Sequence, residues 1–110
     1  MSKQAQYEIK LENVEKNTLR EAVVTMAEKL NLELIGNGQG FRIPNDTYSV
    51  RVTAENGKIK IIGDTENIRD YEKYNDRLIQ FYSAVEVSKT FNTDINYNPN
   101  TEKIAMEITV

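Results

Sequence analysis

Asp64, Glu66 and Asp70 are the closest acidic group in the chain. Carboxylates so spaced could hold a magnesium ion through oxygen ligands or divide acid and base roles between them. They also sit where a long helix would begin, and acidic residues in a first turn stabilise the helix dipole without any further task. The second reading is the stronger. Asp94-x-Asn96-x-Asn98-x-Asn100 has the opening spacing of a calcium loop, yet Pro99 and Ala105 stand where such a loop needs glycine and glutamate. A turn between two strands is expected there. Gly36-x-Gly38-x-Gly40 could cradle a phosphate, but a dinucleotide fingerprint is followed at once by a helix, and Phe41-Arg-Ile-Pro44 is not one. It reads as a flexible loop. Arg69, Lys73 and Arg77, each four residues from the next, make a basic stripe that could meet a nucleic acid or another anion. Asp70, Glu72 and Asp76 dilute its field, so a solvated face is the main expectation.

Other chemistries are excluded by residue type. The 110 residues include no His and no Cys, which removes imidazole bases, thiolate nucleophiles, disulfides and the usual zinc ligands. No cofactor and no metal site is expected. The 39% apolar and 28% charged fractions, with a net charge of -3, describe an ordinary globular surface around a real core. Length predicts one domain over 1–110. The opening MSKQAQYEIK has no apolar centre, and no run approaches the about 18 apolar residues of a membrane span. A soluble, cytoplasmic protein without a membrane role is expected.

The elements that must position these residues follow from periodicity. Tyr7, Ile9 and Leu11 alternate with polar residues, predicting a first strand. Leu19, Ala22, Val23, Met26, Ala27 and Leu30 recur at helical spacing and predict a helix over about 18–30, opened by a Thr18-Leu-Arg-Glu21 capping box. Leu32 to Ile35 suggests a short strand, with Phe41 and Ile43 extending the return side of a hairpin. After a turn at Pro44-Asn45-Asp46, Tyr48, Val50 and Val52 alternate in the next strand. Asn56-Gly57 is a type I′ hairpin signal leading to a strand over 58–62. Asp64 or Thr65 caps a long helix that reaches about Phe91. Ile95 and Tyr97 form a short strand, and Ile104, Met106, Ile108 and Val110 a last one.

The predicted order is β-α-β-β-β-α-β-β. Clean alternation belongs to an antiparallel-rich sheet with one covered face, so the fold class is α+β, a two-layer sandwich with two helices on one face. The wet face carries Glu8, Lys10, Ser49, Arg51, Thr53, Lys58, Lys60, Glu107 and Thr109, with Ile62 and Ala105 as its apolar members. Tyr7, Tyr48, Tyr71, Tyr74 and Tyr82 read as core residues with wet hydroxyls in preference to a stacking platform.

The long helix has apolar residues on two sides. Tyr71, Leu78, Tyr82 and Val85 point one way; Ala84, Val87 and Phe91, with Gln80 among them, point nearly the opposite way. One layer of sheet covers only one of these. Gln80, Ala84, Val87 and Phe91 are therefore the candidate interface, for self-association or a protein partner of the helix-in-groove kind. The competing reading ends the helix near Ser88 and returns Phe91 to the core.

Leu19-Arg-Glu-Ala22, Gly38-Gln39, the strand ending in Gly63-Asp64, and Leu78-Ile-Gln80-Phe-Tyr82-Ser-Ala-Val85 resemble the family called domain of unknown function 1257, which includes the plastid and cyanobacterial hypothetical reading frame 35 proteins. The likeness runs through most of the chain in element order. It departs at Gln80-Phe81-Tyr82, where the family has Gln-Arg-Tyr, and in a shorter stretch between Gly40 and Asp64. The resemblance implies the fold and supplies no catalytic residues. The function expected from the whole sequence is a small non-enzymatic interaction module, acting as an adaptor, regulatory or inhibitory protein. The alternative is a nucleic-acid-binding protein using Arg69, Lys73 and Arg77, and the third a carboxylate-metal enzyme at Asp64, Glu66 and Asp70.

Overall fold

The computed structural model describes the backbone of residues 4–9, 11, 13–43, 49–64 and 68–108, and the side chains of these apart from 4–9, 64 and 68–71. The elements run β1 (Gln4–Ile9), α1 (Lys16–Leu30), β2 (Glu33–Ile35), β3 (Gly40–Arg42), β4 (Ser49–Glu55), β5 (Lys58–Asp64), α2 (Ile68–Phe91), β6 (Asn96–Asn98) and β7 (Lys103–Ala105). The result is an α+β fold in which two helices cover one face of an antiparallel sheet. The turn at Pro44-Asn45-Asp46, Tyr48, Thr65 and Glu66 lie outside the described residues, as do the side chains of Asp64, Arg69, Asp70 and Tyr71.

Five strands pair in the order β1-β5-β4-β3-β2, every neighbour antiparallel. Alternation along β4 turns Val50 and Val52 inward and leaves Ser49, Arg51 and Thr53 exposed. In β5, Ile59 and Ile61 are buried in the same way. The two strands meet through Asn56 and Gly57 at φ 52° and 74°, the doubly positive backbone of a type I′ turn, which matches the twist of the strands it joins. Against this face α1 and α2 lay Leu19, Ala22, Val23, Met26, Leu78, Phe81, Tyr82 and Val85. Tyr74 joins them with its ring 5.5 Å from that of Phe41.

Three expectations need correction. The return arm at Gly40–Arg42 is a strand of its own, paired with both β2 and β4, so four strands separate the helices where three were predicted. Next, α1 starts at Lys16, ahead of the capping box. Thr18 lies inside the helix and is buried; its hydroxyl donates to Glu15 Oε2 at 3.3 Å and accepts from Lys89 Nζ at 3.2 Å. Glu21 pairs with the same Lys89 at 3.3 Å. A cation from α2 satisfies both groups, and the reciprocal cap is not needed. Finally, the last strand pair does not join the main sheet. β6 and β7 form a separate two-stranded ribbon, β7 stops at Ala105, and Ile108 is exposed. Ala105 and Glu107 are therefore not on the main sheet's wet face.

Candidate functional site

The ribbon lies against the side of α2 that the main sheet cannot reach. Asn92, at φ 51°, turns the chain back after the helix. Ser88 Oγ donates to the Thr93 carbonyl at 2.7 Å, and nine residues later Glu102 meets Arg77, so the chain through β6 runs antiparallel to α2 for about 16 Å at the helical rise. Phe81 and Tyr97 stack at 5.8 Å, while Ile95, Tyr97 and Ile104 are half-buried against the core.

Arg77 fastens the far end. Its Nη2 donates to Glu102 Oε2 at 2.6 Å, and its Nη1 to the Glu102 carbonyl at 3.3 Å and Gln80 Oε1 at 3.2 Å. The Arg77 side chain is only 17% exposed, a setting in which a charge-assisted bond outweighs a fully wet one. Lys73 adds a longer contact to Glu102 at 3.7 Å. Glu102 itself stands at φ 55°, a left-handed conformation costing an ordinary residue about 1 kcal/mol, and the Arg77 bonds to its side chain and carbonyl offset that cost. At the ribbon's tip Asn98 Oδ1 accepts from the amides of Asn100 and Thr101 at 2.9 and 3.3 Å. The calcium-like Asn98 thus uses its oxygen to close an Asx turn.

Between α2 and β7 a groove of about 690 Å³ remains, with Gln80, Ala84 and Val87 on the helix side and Lys103, Ile104 and Met106 on the ribbon side. Three of the four predicted interface residues therefore come together. Ala84 is the buried floor, Val87 is half-buried and Gln80 is exposed. Phe91 is not part of the groove; it is 55% exposed one turn further on, beside Asn92 and Asp94. β7 borders the groove and β6 does not, so the β7 edge facing α2 is the one with no strand beside it among the described residues.

Only part of the basic stripe is described. Lys73 and Arg77 are engaged with Glu102, and the Arg69 side chain lies outside the described residues, like those of Asp64, Glu66 and Asp70. Among the described residues no group of three or more His, Cys, Asp or Glu could hold a metal ion, and no helix is long and apolar enough to cross a membrane. Sequence reasoning missed Glu102, Lys103, Ile104 and Met106 as groove residues. Alternation of Ile104 and Met106 was visible, but nothing local told which surface that strand would pack on. Family models, curated proteins and solved structures all give no match, so the family likeness rests on the motifs quoted above.

Proposed function

We propose that this protein is a small non-enzymatic interaction module, an adaptor, regulatory or inhibitory protein, that takes an extended apolar segment of a partner protein into the groove between α2 and β7. One observation carries the reading: a strand edge unpaired among the described residues borders a cleft floored by Ala84 and walled by Val87, Ile104 and Met106. A strand edge supplies backbone donors and acceptors for an incoming strand, and the apolar walls supply pockets for alternate side chains. That favours an extended segment over the helix the sequence first suggested. Lys103, exposed at the rim with no ion pair among the described residues, favours a segment that also carries a carboxylate. A cytoplasmic setting, expected from the sequence, belongs to the same proposal.

The test is selection of short peptides from a random display library on the immobilised protein, with affinities then compared on Val87→Lys. The reading expects peptides of alternating apolar and acidic residues. Their binding should weaken at least tenfold on Val87→Lys, about 1.4 kcal/mol, with the melting temperature nearly unchanged. Peptides that bind both forms equally would move the site elsewhere. Sedimentation showing a dimer that Val87→Lys dissociates would assign the groove to a second copy of the chain and withdraw the partner reading.

A further inference from the structure

The groove between α2 and β7 has two unlike ends. Val87 and Met106 make one of them apolar, while Arg77, Glu102 and Lys103 make the other charged. The order follows from the chain path: Glu102 meets Arg77, and β7 then runs back beside β6 toward the Val87 end. Ten residues of helix separate Arg77 from Val87, about 15 Å at the helical rise. That is room for about four or five residues of extended chain.

The chain's own carboxylate occupies the charged end, and its fit is incomplete. Glu102 gives Arg77 one oxygen: Oε2 accepts from Nη2 at 2.6 Å, while Oε1 lies 3.7 Å from Lys73 Nζ. Nη1 is taken up by the Glu102 carbonyl and by Gln80 Oε1. Nε of Arg77 is buried and has no acceptor among the described residues, so the Nε–Nη2 edge is half used. A guanidinium is shaped to grip one carboxylate through two parallel bonds. Here the carboxylate is divided between two cations instead.

Backbone preference does not account for a glutamate at this place. Glu102 stands at φ 55°, and every other described non-glycine residue at positive φ is an asparagine. Asparagine tolerates the left-handed region and glutamate does not share that advantage. What Glu102 brings to the turn is its carboxylate, aimed at the one well-shielded cation of the groove. Arg77 is 17% exposed against 55% for Lys73, so water dilutes a charge-assisted bond to it less.

We propose that Glu102 is a resident stand-in for an acidic side chain of the partner, and that Arg77 is the residue that reads that acid. The proposal rests on the groove's taking an extended segment. An incoming Asp or Glu takes Nε and Nη2 of Arg77 together. Glu102 passes to Lys73, already its second contact, and Gln80 keeps the guanidinium aimed through Nη1. The bound segment therefore has a fixed polarity, with its acid at the Arg77 end and apolar residues toward Val87. A strut that only ties the ribbon to α2 would respond in the opposite sense to the loss of Glu102.

The test uses the full chain and the tightest peptide selected on it, acetylated and amidated so that its carboxylates are side chains alone. A counterpart has every Asp and Glu changed to the amide. Affinities of both are measured by calorimetry on the wild type, Arg77→Gln and Glu102→Gln. The amide peptide should bind the wild type about tenfold more weakly, the loss of one charge-assisted pair. Arg77→Gln should bind the two peptides equally, however loose its ribbon. Glu102→Gln should bind the acidic peptide about threefold or more tightly, because no resident carboxylate lowers the competent fraction. A damaged fold cannot mimic that gain. Weaker or unchanged binding by Glu102→Gln would make Glu102 a strut and overturn the proposal. So would a preference for the acid that survives Arg77→Gln, or selected peptides that lose affinity on Val87→Lys yet carry no acid. Peptides indifferent to Val87→Lys would fail the groove reading itself, and the role of Arg77 with it.

Discussion

α2 is packed on two sides by two different kinds of partner. Toward the core it presents Leu78, Phe81, Tyr82 and Val85, all at most 4% exposed, which share one apolar cluster with Leu19, Ala22 and Val23 of α1 and with Ile59, Ile61, Val50 and Phe41 of the main sheet. Toward the ribbon the contacts are fewer and more polar: one aromatic pair, half-buried Ile95 and Ile104, and the bonds from Ser88 and Arg77 at either end. Large apolar burial makes the first interface a matter of global stability. The second is held at its ends, with a groove between ribbon and helix. A segment retained by few apolar contacts can open without unfolding the rest, which suits a surface that admits another chain.

That contrast can be broken by substitution. Phe81→Ala removes a ring that is fully buried and touches both interfaces; it should cost about 3–5 kcal/mol in urea unfolding. A loss under about 1 kcal/mol would mean the two interfaces do not share a core. Tyr82→Phe deletes the hydroxyl that accepts the Glu15 amide at 3.0 Å and leaves that donor without its partner, for about 1–2 kcal/mol. Arg77→Ala should act locally. Hydrogen exchange at Lys103–Ala105 should quicken while Ile59 and Ile61 keep their protection, with about 1 kcal/mol or less lost globally. Equal quickening in β5 would make the ribbon part of the main cooperative unit. Smallest of all, Lys89→Met breaks an exposed pair with Glu21 and should change the midpoint by about 0.5 kcal/mol or less.

The same contrast marks how far the sequence could be read. Periodicity located α1, β4, β5 and the buried side of α2, because each buries one face against a large layer and the spacing records that face. Asn56-Gly57 announced its turn for a local reason as well, the backbone φ it must adopt. The ribbon's position depends instead on contacts distant in sequence. Arg77 and Glu102 are 25 residues apart, and no spacing rule links them, so Arg77 looked like one member of a basic stripe. Thr18 misled in the opposite sense: its local capping pattern was sound, but Lys89 from the neighbouring α2 satisfied it. Of the predicted interface, Gln80, Ala84 and Val87 were legible as a helix stripe; the β7 side of the groove was not.

The central claim is that the groove accepts a strand on the open edge of β7. The most direct measurement is amide hydrogen exchange across residues 96–106, with and without a peptide selected on the protein. Alternate amides of Lys103–Ala105 should gain protection when the peptide binds, as an antiparallel or parallel neighbour requires, and Val87→Lys should abolish the gain. Peptide binding that leaves β7 exchange unchanged would contradict it.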